Sequence, residues 1–135
     1  MPASNDPKRD REVFLKILTM DDNGAWARCK PPVQRKLGRA GFDALPYADR
    51  IADCERPENV AGPSTGAWAD INAHLGTTAT CLSELIAQLG QRNFGRTPRV
   101  GDSFCGGGSI PFEAARIGCE AFGSDLNPVA GRITR

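Results

Sequence analysis

Residues 100–125 decide the fold class, and they read VGDSFCGGGSIPFEAARIGCEAFGSD. The segment 100–104 is short and partly apolar and runs into three glycines, as expected of a buried strand that ends in a turn. Residues 109–117 follow with a helical pattern, which Gly118 ends. Residues 120–124 predict a second strand. Strand, glycine loop, helix and strand in this order open a parallel, doubly wound α/β sheet.

The glycine run is placed where a ligand can come close to the backbone. The N–H groups of such a loop and the dipole of the next helix hold an anion, which is pyrophosphate in a nucleotide site and the methionine carboxylate in a methyltransferase. A carboxylate about 20 residues further on can accept hydrogen bonds from ribose hydroxyls. Gly106 and Asp125 are 19 residues apart, so the spacing fits either kind of ligand.

The position of the third glycine separates these two ligands. Dinucleotide folds use G-x-G-x-x-G, whose last glycine permits close packing of helix on strand. Counted from Gly106 and Gly108, that place holds Pro111, which argues against a nicotinamide or flavin site. No Gly-Lys-Ser/Thr follows the loop, so a Walker-type site is excluded more firmly.

The composition is ordinary for a soluble globular protein, with 40% apolar and 24% charged residues. The net charge of +1 neither indicates nor excludes a nucleic-acid partner, and we expect any DNA-binding surface to lie elsewhere, because dedicated DNA-binding domains are more often basic. No apolar stretch approaches the roughly 20 residues of a membrane span, and the N-terminus lacks the apolar core of a signal peptide. We therefore predict a cytoplasmic protein without a membrane partner.

The cysteines and the single histidine indicate no metal centre. Five cysteines are dispersed without a C-x-x-C pair, and His74 is the only histidine. An odd, dispersed set is typical of reduced thiols and not of a disulfide framework. Paired ligand spacing for zinc is also missing, so no metal site is predicted.

The rest of the chain predicts short helices joined by turns and connectors. Helices are expected at 11–19, 46–54 and 78–89, a turn at 21–24, and a connector at 56–66. Gly90 is expected to stop the third helix and Ser109 to cap the helix after the loop. We divide the chain into a small, partly flexible helical region at 1–62 and the start of the cofactor-binding domain at 63–135.

Other conspicuous side chains are expected to have structural roles. We expect the basic stretch at 28–39 to be a solvated helix face, although phosphate contact is an alternative. Trp26 and Trp68 are expected to anchor packing, and His74 to be a polar residue at a helix end. Cys105 and Cys119 are expected to be small buried residues, and Glu113 to interact with the helix dipole.

Three segments resemble one family. Residues 102–116 (DSFCGGGSIPFEAAR) resemble the first motif of DNA amino-methyltransferases, Asp-Pro-Phe-x-Gly-x-Gly, and residues 118–130 (GCEAFGSDLNPVA) resemble the second. Residues 68–77 (WADINAHLGT) resemble the segment that leads into the first motif. The resemblance covers about 64–131. It is to large adenine-specific DNA methylases that carry an N-terminal domain of unknown function and often a zinc ribbon, some of them in phage-defence gene sets.

This resemblance implies a partial Rossmann-like, S-adenosylmethionine-dependent methyltransferase fold preceded by the small helical region. Asp102 would hold the amino group of the cofactor's methionine portion, directly or through water, and Asp125 would bind the ribose hydroxyls. The loop glycines would let the cofactor lie against the backbone. The implied cofactor-binding set is Thr77, Asp102, Phe104, Gly106, Gly108, Asp125, Leu126 and Asn127, with Leu126 and Asn127 flanking the adenine and Thr77 near the methionine end.

The chain departs from the family in two places. Ser103 replaces the usual proline after the aspartate, which loosens the turn without removing a ligand. The catalytic motif, Asp/Asn/Ser-Pro-Pro-Tyr/Phe, accepts hydrogen bonds from the target amino group and stacks its aromatic on the flipped base. No such tetrapeptide occurs, since the sequence at 30–33 is KPPV. No catalytic residue is therefore predicted.

Two hypotheses remain. In the first, the chain is the N-terminal portion of an adenine-specific DNA methyltransferase that meets DNA through the complete enzyme. A second chain or a downstream segment would then carry the catalytic motif. In the second, the chain is a non-catalytic cofactor-binding or assembly module, or a truncated gene fragment, without activity of its own. The adenine and cytosine amino groups both remain open as targets.

Overall fold

The computed structural model describes residues 4–126. Asn127, which the resemblance places beside the adenine, lies outside the described residues. The chain forms two compact units, Met1–Gly76 and Thr77–Arg135. The sequence predicts a domain boundary after residue 62. A division into compact units does not test whether the parts fold independently, so this boundary stays a prediction.

The first unit is helical over its described residues. Its elements are α1 (Pro7–Ile17), α2 (Asp22–Arg28), α3 (Pro31–Asp43), α4 (Tyr47–Ala52), a short 3-10 helix (Pro57–Asn59) and α5 (Thr65–Leu75). Helix α1 packs on α5, and α2 packs on α3. Val13 of α1 and Ile71 of α5 are fully buried. Ala25, Cys29 and Phe42 form a second small core around α2 and α3.

The expected helices at 11–19 and 46–54 are present with shifted ends, but the turn expected at 21–24 is wrong. Helix α1 begins earlier because the Asp6 carboxylate accepts from the N–H of Arg9. Asp21 likewise accepts from the N–H of Gly24 at 3.0 Å and starts α2. The chain reverses before Asp21, at Thr19, whose φ of 55° is left-handed.

The second unit contains the predicted strand–loop–helix–strand segment. Its elements are α6 (Leu82–Phe94), β1 (Arg99–Asp102), α7 (Ser109–Arg116) and β2 (Glu120–Gly123). The two strands are parallel, with Arg99 opposite Glu120 and Asp102 opposite Gly123. Helix α7 packs on both strands. Helices with a small parallel sheet make the described chain a mixed α/β structure.

The expected helix stop at Gly90 is wrong. Helix α6 continues to Phe94, and Gly95 ends it with a left-handed φ of 66°. Gly90 is buried, and a Cβ there would lie 2.4 Å from the Cδ of Pro98. Gly90 is thus required by close packing and not by a helix end.

The expected cap at Ser109 is also wrong. Gly108 is the N-cap of α7, with a φ of 79°, and Ser109 is already the first helical residue. None of the side chains that the structure describes caps this first turn. Gly108 therefore provides the turn that leads the chain into α7. The first backbone N–H groups of α7 have no capping side chain among the described residues.

Candidate functional site

The carboxyl ends of β1 and β2 bring the two predicted carboxylates to one edge of the sheet. Beyond the strands, the N–H of Ser124 donates to the Asp102 carbonyl at 2.9 Å, and the N–H of Cys105 donates to the Ser124 carbonyl at 3.1 Å. This extended pairing carries the glycine loop and Asp125 out of the sheet side by side. Ligands of open parallel sheets bind at this edge.

Asp102 organises the turn that leaves β1. Its Oδ1 accepts a hydrogen bond from the N–H of Phe104 at 3.0 Å, and the residue is half-buried. A side chain that bonds the backbone two residues on mimics a backbone turn. The hydrogen bond holds this turn at Ser103, where the family's motif has proline.

Asp125 closes the loop from the other side. Its Oδ2 accepts from the N–H of Gly106 at 2.8 Å. The carboxylate that follows β2 is therefore held against the glycine loop.

The glycine loop is open on its outer surface. Gly106 and Gly108 have left-handed φ values of 49° and 79°, which L-residues other than glycine rarely adopt. Apart from its own chain neighbours, a Cβ placed on Gly106 or on Gly107 would meet no atom of residues 4–126 within 4 Å. The loop thus has room for a ligand against its backbone, next to the uncapped first turn of α7.

Tight packing supports the loop from beneath. A Cβ on Gly123 would lie 2.9 Å from the Cβ of Cys105 and 3.1 Å from the Cγ of Pro111. Cys105 is 6% exposed, which confirms its role as a small buried residue, and Cys119 is half-buried. Gly123, which the sequence did not single out, lets loop, helix and strand meet here.

Two other predicted site residues are exposed to solvent. Phe104 and Leu126 are 76% and 89% exposed. Thr77 is the first residue of the second unit, and the N–H of the next residue, Thr78, donates to Oε1 of Gln88 in α6 at 2.9 Å. The approach of Thr77 to the glycine loop stays a prediction.

The structural roles expected of His74, Trp26 and Trp68 are confirmed, but the expectation of a solvated helix face over 28–39 is wrong at Arg28, which is 4% exposed. His74, in the last turn of α5, contacts Asp10 of α1 at 2.7 Å between Nε2 and Oδ1, and both side chains are 14% exposed. Trp68 is buried, and Trp26 packs edge-on against Phe42 with ring centroids 5.4 Å apart. These contacts explain the residues without a ligand.

A cavity of about 380 Å³ lies in the first unit. Lys16, Asp21 and Arg28 contribute its charged lining, and every lining residue falls between positions 16 and 67. The predicted cofactor residues all follow position 76 and contribute nothing to it. The Arg28 side chain already has a structural partner, since its Nε donates to the Thr19 carbonyl at 2.8 Å.

Within residues 4–126, no group of three or more His, Cys, Asp or Glu side chains is placed to hold a metal ion. Over the same range, no helix combines the length and apolarity needed to cross a membrane.

Comparison with known proteins finds no matching family model, no matching curated protein and no matching solved structure.

Proposed function

We propose that this chain is the S-adenosylmethionine-binding N-terminal portion of a DNA adenine-N6 methyltransferase of the family it resembles. The observation that carries the proposal is the hydrogen bond between Asp125 Oδ2 and the N–H of Gly106. It joins the second motif to the first at one edge of a parallel sheet. The proposal includes a Rossmann-like fold for the complete domain, with β1 and β2 as adjacent strands.

The residues at this edge fit the cofactor's functional groups. In this proposal Asp125 accepts hydrogen bonds from the ribose hydroxyls, and Asp102 holds the methionine amino group. The uncapped N-terminus of α7 attracts the methionine carboxylate through its dipole and N–H groups. When bound, S-adenosylmethionine supplies an electrophilic methyl group. The space beside Gly106 and Gly107 supports this proposal, because in the described part of the chain only their own chain neighbours lie within 4 Å of where their Cβ atoms would be.

Methyl transfer requires chemistry that this sequence does not carry. The Asp-Pro-Pro-Tyr type of motif would accept hydrogen bonds from the adenine amino group. We propose that a second chain or a downstream segment supplies it and that DNA is bound by the complete enzyme. Large apolar side chains on the second unit support an assembly partner. Those more than half exposed are Phe94, Phe104, Ile110, Phe112, Phe122 and Leu126.

The same exposed side chains favour a second candidate, a non-catalytic assembly module that binds the cofactor. A methyl-transfer assay separates the two, with labelled S-adenosylmethionine, adenine-containing DNA and the chain alone or with a protein carrying Asp-Pro-Pro-Tyr. We expect no transfer by the chain alone and transfer with the partner. Transfer by the chain alone would contradict the assignment of catalysis to another segment.

Cofactor binding is tested by calorimetric titration with S-adenosylmethionine. Asp125→Asn keeps the size of the side chain and removes its charge, and we expect it to weaken binding about ten- to a hundredfold, as for the loss of hydrogen bonds to a charged group. Asp49→Asn in α4, an exposed carboxylate in the first unit, is the matched control and should bind like the parent. Circular dichroism confirms that both variants fold. Absence of binding at millimolar cofactor, or equal binding by Asp125→Asn, would refute the site.

A further inference from the structure

Two cysteines far apart in sequence meet in the first unit. Cys29 is the C-cap of α2, and Cys54 follows the end of α4. They are partners in an isolated antiparallel β-bridge. Both are free thiols in the structure.

The hydrogen bonds of this bridge define the register of the pair. The N–H of Lys30 donates to the Asp53 carbonyl at 2.9 Å, and the N–H of Glu55 donates to the Arg28 carbonyl at 2.8 Å. Both bonds come from the residues that flank the cysteines. The two cysteines are therefore a directly opposed, non-hydrogen-bonded pair.

This register suits a disulfide. Opposed residues of a non-hydrogen-bonded antiparallel pair have Cα atoms about 4.5 Å apart, with both side chains on one face. Disulfides span Cα separations of about 4.4–6.8 Å. The backbone of the bridge thus already holds the two Cα atoms within the range that the bond needs.

The side chains are also packed together. Cys29 is 3% exposed and belongs to the core with Ala25 and Phe42, and Cys54 packs against that core. The single S–H of Cys54 has two carbonyl acceptors within reach, that of Ala25 at 3.2 Å and that of Arg50 at 3.1 Å. A disulfide would replace this weak hydrogen bond by a covalent bond between segments already in contact.

We propose that Cys29 and Cys54 form a reversible disulfide when the protein meets a small-molecule disulfide such as glutathione disulfide. The thiolate of Cys54, the more exposed of the two, attacks one glutathione sulfur, and one glutathione leaves as thiolate. The thiolate of Cys29 then attacks the Sγ of Cys54, and the second glutathione leaves. The protein loses two electrons and two protons, and the oxidant takes them up as two molecules of glutathione. The proposal is independent of any cofactor site.

Burial sets the rate of this exchange. Desolvation is the largest cause that raises the pKa of both thiols, and each lies above its ordinary value. The thiolate is the attacking species, so the disulfide forms slowly at neutral pH and faster at alkaline pH. A pair that oxidises in this way responds to sustained oxidation, not to a brief pulse.

The bond would tie the end of α2 to the segment after α4. It would close a loop that contains α3 and α4, and so restrict the unfolded chain. For a loop of this length we expect the midpoint of thermal unfolding to rise by on the order of 10 °C.

In the experiment, the reduced, full-length chain is equilibrated with glutathione disulfide at about pH 8.5. The exchange is then quenched with acid, and the remaining thiols are alkylated in denaturant. Trypsin cuts after Arg28 and a Glu-specific protease cuts after Glu55, which separates Cys54 from Cys81. Mass spectrometry should show one cross-linked peptide pair, Cys29 with Cys54. The oxidised sample should melt at the higher temperature, and a reductant should reverse both changes.

Two variants make the result specific. Cys81→Ser removes an exposed thiol and should leave the cross-link and the thermal shift intact. Cys29→Ser should abolish both and leave Cys54 as a mixed disulfide with glutathione. Recovery of Cys29 and Cys54 in alkylated form while Cys81 carries glutathione would overturn the proposal, and so would a cross-link of either to another cysteine. The cysteines are mapped in the parent chain, so this outcome does not depend on the folding of a variant.

Discussion

The carboxylate of Asp125 accepts a hydrogen bond from the backbone N–H of Gly106 at 2.8 Å. The two residues belong to different motifs of the sequence, one in the glycine loop and one at the tip of β2. Their contact makes loop and carboxylate a single unit at the edge of the sheet. Gly106 makes this contact with a left-handed φ of 49°.

Gly106→Ala should destabilise the chain, whereas Gly107→Ala should leave the free energy of unfolding nearly unchanged. A Cβ at either position meets open space, but only Gly106 has a left-handed φ, of 49°. An L-residue in that conformation costs about 1–2 kcal/mol. Urea denaturation of both variants measures the difference, and equal stability would show that the left-handed turn is not needed.

Gly90→Ala should destabilise the chain by about 1–3 kcal/mol through overpacking. A Cβ at Gly90 would lie 2.4 Å from Pro98 Cδ and 2.8 Å from the carbonyl oxygen of Arg96. The matched control is Gly66→Ala in α5, where a Cβ meets nothing within 4 Å. Helix propensity makes that change neutral or up to about 1 kcal/mol stabilising. Thermal melts of the two variants should therefore shift in different directions, and a stabilised Gly90→Ala would contradict the close contact with Pro98.

The segment at 99–123 could be predicted from sequence because its signals are local. Strand, glycine run, helix and strand follow one another without an insertion. Glycines stand after β1, after α7 and at the end of β2, at positions 106–108, 118 and 123. The prediction that Gly90 stops the helix is wrong for the opposite reason, because the contact that decides its role is not local in sequence. In sequence it resembles a helix stop, and only the position of Pro98, after α6 has ended, shows that it is a packing glycine.

The candidate site could be predicted as a set of residues but not as a geometry. Motif spacing places Asp102 and Asp125 after adjacent strands, yet nothing in that spacing indicates the hydrogen bond from Gly106 to Asp125. The pairing of Cys29 with Cys54 could not be predicted from the sequence at all. It depends on how α3 and α4 return the chain to α2, and the spacing of the cysteines alone indicated only dispersed, reduced thiols.

Acid should weaken the first unit through Asp70. Its carboxylate contacts Lys16 and Arg9 of α1, and the hydrogen bond to Lys16 is the largest cause that lowers its pKa below the ordinary value. A carboxyl whose pKa is lowered on folding stabilises the protein above its unfolded pKa, about 3.9, and this stabilisation is lost as pH falls through the folded pKa.

Melting temperatures measured between neutral pH and about pH 3 test this contribution, since that range spans the ordinary pKa of aspartate. Asp70→Asn should lower the melting temperature near neutral pH and reduce its fall in acid. Lys16→Gln removes the principal partner and should act in the same direction. A parent and an Asp70→Asn variant with parallel pH profiles would rule out Asp70 as a source of the acid sensitivity.

Arg28→Lys should destabilise the first unit by about 1.5–3 kcal/mol, although it conserves the charge. The guanidinium is 4% exposed and reaches two backbone carbonyls at once, through Nε to Thr19 and through Nη1 to Glu55. An ammonium has one nitrogen and cannot span both acceptors, so one carbonyl loses a charged donor. Arg35→Lys on the exposed surface of α3 is the control and should change the free energy of unfolding by less than about 0.5 kcal/mol. Equal effects of the two substitutions in urea denaturation would mean that the fork of Arg28 does not hold Thr19 and Glu55 together.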